Sequence, residues 1–293
     1  LAANGSGKHG SYTAAFSHAR TDGHIENTDA LITRALWTQQ YRKGDVLWRA
    51  LAGVEDKAFG AQNFYTSSFP HQYEVTRSAV AQLTMRKDFA QGVWFAGAHV
   101  RHHRDRFELY REGTNAYTWT DDGFFVNDTD TAATWYRGPN RHRSLTAALS
   151  TRYEHRGQTI RWGAGADGRY ERIRSNALGE TFLEDAAFEE LSRRDERFNF
   201  DGYANARWVS PTWDTQIGLT LGGNVNSRYG ARALPAVEAM QRLGRQRAFQ
   251  AFASAGRSLR HPSFTDLYYT VGGATGSEDL LPEFADQIEL GLR

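Results

Sequence analysis

Along residues 144–153 the odd positions carry Leu145, Ala147, Leu149, Thr151 and Tyr153, and the even ones Ser144, Thr146, Ala148, Ser150 and Arg152. A repeat of two is the repeat of a strand with one wet and one dry face, and a helix does not sustain it over such a length. The alternation returns in 159–170, where Ile160, Trp162, Ala164, Ala166 and Tyr170 oppose Arg161, Gly163, Gly165, Asp167 and Arg169. It returns again in 198–208, with Phe198, Phe200, Ala204, Ala206 and Trp208 against Asn199, Asp201, Asn205 and Arg207. In 213–225, Trp213, Ile217, Leu219, Leu221 and Val225 oppose Asp214, Gln216, Thr220 and Asn224. Fainter versions cover 11–20, 30–41, 46–55, 74–86, 93–106, 234–242, 247–257 and 285–293, so the pattern predicts about twelve strands.

The connections predict how the strands are assembled. Short turns at Arg42-Lys43-Gly44-Asp45, Asp88-Phe89-Ala90-Gln91, Arg156-Gly157, Ser210-Pro211-Thr212 and Leu243-Gly244-Arg245 take turns with longer segments near 21–29, 56–73, 107–142, 172–196, 227–233 and 258–284. Tight turns at one end and long loops at the other are the grammar of an up-and-down transmembrane barrel. Aromatic positions agree: Tyr41 and Trp48, Tyr153 and Trp162, and Trp208 and Trp213 bracket three of the short turns on the apolar phase. Trp and Tyr collect at that level where headgroups meet hydrocarbon. Trp94 follows another short turn, with its phase left open by the sequence. A β-sandwich or soluble barrel is the competing architecture, in which these rings would be ordinary core, and a soluble β-rich carbohydrate-binding protein the corresponding rival function.

Composition changes the picture in three places. No run approaches the ~18 apolar residues of a membrane helix, and a mean hydropathy of −0.63 suits a soluble protein and a barrel equally, because barrel strands need apolar residues only at alternate positions. The absence of Cys excludes a disulfide scaffold and Cys-ligated metals. The balance of 35 basic and 34 acidic residues gives no electrostatic footprint for nucleic acid. Leu1 opens the sequence without a basic and then apolar leader pattern, and Ile288–Arg293 closes it in mid-alternation, so the strand grammar is expected to continue past both ends.

Candidate chemistry is sparse. His99 and His103 would share a strand face, but at about 13 Å apart they are too far to chelate one ion; a strand running past the membrane into water explains the basic stretch around them and His142-Arg143. The acidic runs Thr120-Asp121-Asp122-Gly123 and Asn127-Asp128-Thr129-Asp130 lack calcium-loop spacing and read as solvated loop tips. No nucleotide loop, nucleophile elbow or zinc helix motif is present, and no acid and base pair at a common strand end, so neither an enzyme nor a cofactor is expected. Tyr117, Trp119, Phe124, Phe125, Trp135 and Tyr136 crowd the segment 113–141. A substrate-contacting loop and a self-packed loop both account for that density.

A family comes into view near the end of the sequence. Ala253-Ser254-Ala255-Gly256-Arg257-Ser258-Leu259-Arg260-His261-Pro262-Ser263-Phe264-Thr265-Asp266-Leu267-Tyr268-Tyr269 resembles the stretch of TonB-dependent receptors whose core reads Phe-Arg-Ala-Pro. Glu278-Asp279-Leu280-Leu281-Pro282-Glu283, followed by Ile288-Glu289-Leu290-Gly291-Leu292, resembles their Asn-Pro-Asp-Leu-Lys-Pro-Glu block and Tyr-Glu-Leu-Gly strand. Arg260, Pro262, Leu280, Pro282 and Glu283 carry the match; Leu259, His261 and Ser277-Glu278 depart from it. Ser17–Asp29 and Asp56–Tyr65 are similar to blocks of cobalamin-receptor-like members.

The resemblance implies a 22-stranded barrel filled by an N-terminal plug, and an active receptor of the Gram-negative outer membrane, embedded in its lipid. Such a receptor imports a scarce small nutrient, of cobalamin or ferric siderophore type, with energy from the TonB complex acting through the plug. Residues 1–293 would be part of that barrel, the plug and the first and last strands lying outside them. Arg161, Asp167, Arg169, Asn205 and Arg207 would face the lumen and the plug. Haem receptors of the family carry a His between the two blocks, and none lies between Pro262 and Ser277, which disfavours haem. A passive porin or adhesin barrel is the alternative with the same strand grammar.

Overall fold

The computed structural model describes all residues except 63, 65–67, 114–116, 127–130, 134–135, 185, 188–189, 245–247 and 272–273. In chain order its elements are β1 (Ala2–Gly7), β2 (Gly10–Thr21), β3 (Ala30–Lys43), β4 (Val46–Gly60), β5 (Tyr73–Phe89), β6 (Gly92–Glu108), β7 (Thr118–Trp119), β8 (Phe125–Val126) and β9 (Asn140–Arg156). There follow β10 (Ile160–Ser175), β11 (Glu180–Thr181), β12 (Arg193–Val209), β13 (Thr215–Asn226), β14 (Gly230–Leu243) and β15 (Phe249–Arg260). A one-turn helix α1 (Phe264–Tyr268), β16 (Thr270–Val271), β17 (Ala274–Thr275) and β18 (Glu283–Leu292) complete the chain.

Among the described residues thirteen strands pair in one antiparallel sheet in the order β1-β2-β3-β4-β5-β6-β9-β10-β12-β13-β14-β15-β18, with β11 added beside β12. β7 with β8 and β16 with β17 are small hairpins within loops. Each long strand pairs with the next one in sequence, the up-and-down meander that the alternation of turn and loop lengths demands. β1 is the strand beyond the expected twelve. Ala-Ala-Asn-Gly-Ser-Gly shows no alternation, and it forms because its backbone pairs with β2 around the tight turn between Gly7 and Gly10. The connection expected over 227–233 shortens to the three residues before Gly230, since β14 begins there in the positive-φ conformation that glycine tolerates. The sheet is open: β1 and β18 end the path and do not pair with each other.

The faces sort as the period of two requires. Leu149, Leu221, Ile288 and Leu290 are 68%, 63%, 82% and 77% exposed. In water that much apolar surface on one face would be a liability; against lipid it is the solvated side. Trp94 belongs to this face, opposite Tyr153 in the register, and with Trp48 opposite Tyr41 it continues the aromatic level beside the tight turns. The other face is concave. Residues of β4, β5, β6, β9, β10 and β12, among them Arg49, Arg86, Arg152, Asp167, Asp201 and Tyr203, line one cavity of about 510 Å³, which only a curled sheet allows.

Most long strands overshoot the bilayer. β5, β6, β9 and β12 each have 17 residues, roughly 56 Å of extended chain, against an apolar band about 25 Å tall. The excess rises on the long-loop side. It carries Arg104–Arg106 and His142-Arg143, polar on both faces because they stand at or above the bilayer rim, while His99, level with Ala148, and His103 lie lower, on the lumen face.

Candidate functional site

The inner wall and the loops above it form the candidate site. Arg161, Asp167, Arg169, Asn205 and Arg207 all lie on the concave face, in register pairs Arg161 with Arg207 and Asp167 with Asp201. Arg169 contacts Glu171 at 3.2 Å, and Arg207 Nε donates to Glu238 at 3.0 Å. Asp167 lines the large cavity beside Asp201. The wall is thus a lattice of charges held by strand register, with its larger side chains spaced by Gly163 and Gly165. A Cβ on Gly165 would stand 2.6 Å from the Tyr203 ring, so glycine there leaves room for that ring.

Higher up, two imidazoles of the basic stretch are anchored. His103 Nδ1 pairs with Ser78 at 2.7 Å and His142 Nδ1 with Ser175 at 2.7 Å. Their Nε2 atoms both stand 3.9 Å from the Asp105 carboxylate, one on each oxygen.

The motif residues meet at the mouth. Arg260 ends β15 and Glu283 opens β18, directly opposite one another. Arg260 donates to Glu283 at 3.1 Å and to Asp266 at 3.0 Å. Arg260, Pro262, Leu280 and Glu283 line one recess, and Pro282 is buried beside it. The two sequence blocks are therefore the two feet of one loop. Between them Ser263 caps α1, donating and accepting reciprocally with Asp266, whose carboxyl is held below the usual range by the Ser263 backbone N–H.

That loop folds inward over the lumen. Leu267 and Tyr268 are buried with Phe264, Leu178 and the inward-facing Ile173 of β10. Arg197 of β12 donates to the Pro262 carbonyl at 2.5 Å and to Glu171 at 2.6 Å. Tyr268 donates to Asp195 at 2.8 Å, and Arg228 donates to the Tyr268 oxygen and to the Glu278 carbonyl, each at 3.0 Å. Burial, with the Asp195 bond, pushes the Tyr268 phenol up to about 12. His261 donates from Nε2 to Asn224, whose amide nitrogen is engaged by Asp201 at 2.7 Å, and its ring stacks on Tyr229. Burial first, then the Arg197 charge, lower the His261 pKa, so the neutral ring is the one that fits. The residues that clasp the loop, Arg197, Asp195, Asn224 and Arg228, were not singled out in the sequence. Asn224 was legible only as one polar position among many in β13.

The aromatic segment splits. Tyr117, Phe125 and Tyr136 are buried with Leu109 and Ala132 in a small core of their own, and burial raises the Tyr136 phenol. Trp119 and Phe124 remain open to solvent; Trp135 lies outside the described residues. Thr120–Gly123 close a turn through the Gly123 N–H and Thr120 carbonyl, while the run 127–130 lies outside the described residues. The base of the segment is tied to the β2–β3 loop by Arg111, which grips Asp29 bidentately at 2.5 and 3.0 Å and lies over the Tyr73 ring. The Arg111 bond holds the Asp29 carboxyl below its ordinary value.

Comparison with known proteins bears on the whole arrangement. No curated protein matches the chain. Among solved structures, the siderophore receptor PirA from Pseudomonas aeruginosa superposes with a TM-score of 0.69 at 14% identity, covering 99% of this chain and 48% of its own. A mutant of the ferric enterobactin receptor PfeA from the same organism gives 0.67 at 15%, covering 99% and 47%. The copper transporter OprC gives 0.65 at 15%, covering 99% and 48%. At such identity these likenesses carry the fold, and the chain spans about half the length of each of them. The family model described as TonB dependent receptor-like, beta-barrel matches residues 12–293. With the up-and-down order, the lipid-type outer face and the charged inner wall, that match establishes that the chain belongs to the β-barrel of the TonB-dependent receptor family.

Proposed function

We propose that the protein to which this chain belongs is an active importer in the Gram-negative outer membrane, taking up a scarce nutrient of ferric siderophore or cobalamin type. The observation that carries the reading is the inward-folded motif loop. A passive pore needs an open lumen, whereas here Leu267 and Tyr268 are buried against the inner wall and hold the described residues of 261–282 over the mouth. A charged wall below such a cover suits contact with a plug, and Arg161, Asp167, Arg169, Asn205 and Arg207 are its proposed contacts. Trp119 and Phe124, exposed on the long loop, are the proposed first contacts for a ligand; Tyr117, Phe125 and Tyr136 support them from the loop's own core. Residues 1–293 form part of the barrel, and further strands with an N-terminal plug complete it. No catalytic step is assigned to any residue.

Uptake decides the matter. The full-length receptor, expressed in a strain lacking its own siderophore and cobalamin receptors, is expected to restore uptake of labelled ferric siderophore or cobalamin, and only with TonB present. Uptake that persists without TonB supports the porin reading instead.

A further inference from the structure

Ser175 ends β10 and is fully buried. Its hydroxyl oxygen accepts the backbone N–H groups of Ala177 and Leu178, each at 2.8 Å, and meets Nδ1 of His142, its partner in the register, at 2.7 Å. A serine hydroxyl has two lone pairs and one hydrogen. The two N–H groups occupy both lone pairs, so the hydrogen goes to His142 and Nδ1 is the acceptor. The ring hydrogen of His142 therefore sits on Nε2, the nitrogen that faces Asp105. In the imidazolium both ring nitrogens carry hydrogen, and three donors would converge on one oxygen. A proton on His142 and the closed turn after β10 exclude one another.

That turn is a seat. Leu178 is buried with Ile173 against Leu267 and Tyr268 of the motif loop. Asn176 fastens the same turn to the start of β9, accepting from the Arg141 N–H and donating to the Pro139 carbonyl, each at 2.8 Å. The Ser175 bonds turn Leu178 inward from that fixed point. Without them the Ala177 and Leu178 N–H groups are buried and unpaired, which favours opening, and the motif loop loses its apolar floor.

The groups around His142 supply no lasting counterion. Asp105 of β6 turns its other oxygen to His103, Glu74 of β5 acts on it, and Arg193 of β12 is the next inward position beyond Ser175. Burial first, then the Glu74 charge, push Asp105 up to about 6, so it takes its proton before His142, which burial pushes down to about 4. A histidine depressed in the folded state leaves the closed turn at full stability above its free value near 6.5, and weakens it as pH falls towards the folded value.

We infer that His142 and Ser175 form an acid-released latch: a proton on His142 opens the turn 175–178 and removes the seat of the motif loop over the lumen.

The test follows amide exchange of the full-length receptor in detergent, with each rate corrected for its intrinsic value. Exchange in 176–179 should accelerate on the order of 100-fold between pH 6.5 and 4, about tenfold per pH unit at most, while β9 and β10 stay protected. In His142→Gln, whose amide oxygen still accepts the Ser175 hydroxyl, the turn should stay closed throughout. In Ser175→Ala it should exchange fast already at pH 7, with no further step in acid. His261→Gln should leave the acid response of the turn intact, which separates the latch from the loop's own histidine. Nitrogen-15 spectra of labelled histidine should show, in the signal that vanishes in His142→Gln, an Nδ1 without hydrogen at pH 7. A turn indifferent to pH in the wild type, an unchanged acid response in His142→Gln, or a hydrogen on Nδ1 at pH 7 overturns the inference. So does exchange of β9 and β10 together with the turn, which marks general acid unfolding. Neither readout involves uptake, so the latch and the importer reading stand or fall separately.

Discussion

Leu149 and Ser150 are chain neighbours in β9 that face opposite solvents, and the whole assignment of faces can be tried on them. Leu149 is 68% exposed on the outer face, in mid-strand between Tyr153 below and Arg143 above. Arg at Leu149 should cost roughly 2–4 kcal/mol of barrel stability, and Arg at Ser150, on the lumen side, much less; equal penalties in refolding titrations would refute the assignment. His261 offers a test by pH. Its ring is held neutral, facing Asn224 and the charges of Arg197, Arg169, Asp201 and Glu171. A histidine whose folded pKa is depressed contributes docking that is complete above its free value near 6.5 and is lost as pH falls through the folded one. Hydrogen exchange of residues 261–269 should therefore speed up as pH drops from 7 towards 5, after correction for intrinsic rates, and His261→Gln should remove most of that dependence. The alternation that assigns Leu149 was plain in the sequence. The setting of His261 was not, because Asn224, Tyr229 and Arg197 come from other strands and no local pattern announces them.

Among the elements, the motif loop shows what sequence blocks mean physically. Arg260 and Glu283 are 23 residues apart along the chain and directly paired across β15 and β18, so a resemblance visible as two separate blocks is one structural closure. Its inward course depends on burial of Leu267 against Ile173 and Leu178. Leu267→Ala should weaken docking of the loop by about 2–4 kcal/mol, seen as protease cleavage within 261–282, while the heat-modifiable mobility of the barrel stays unchanged. Loss of the barrel band together with the loop would show that the loop is part of the folding core. The strands with alternating side chains were legible, within a few residues at their outer ends. β1 was not, since Gly and Asn residues supply backbone pairing without a pattern. For the aromatic segment, composition could not separate Tyr117 in a private core from Trp119 in solvent, because that partition depends on which loop residues reach Leu109 and Phe125.

At the scale of the whole molecule, the open path from β1 to β18 has two edges whose backbone groups find no partner in lipid. Residues 1–293 expressed alone should accordingly yield no discrete heat-modifiable monomer and no unitary conductance in planar bilayers; a stable, protease-resistant pore of this piece would show that the sheet closes on itself. Everything said of ligand and plug depends on the long loops meeting the medium and the tight turns the periplasm. The chain has no Cys, so single substitutions report topology without background. Gly157 is a poor position for one, because a Cβ there would meet the Ile160 carbonyl at 2.1 Å; exposed Gln158 in the same turn and exposed Asp121 in the long loop serve instead. In the full-length receptor on intact cells, a membrane-impermeant maleimide should label Asp121→Cys and leave Gln158→Cys untouched until the outer membrane is permeabilised. Labelling of Gln158→Cys but not Asp121→Cys on intact cells would invert the barrel and contradict the account.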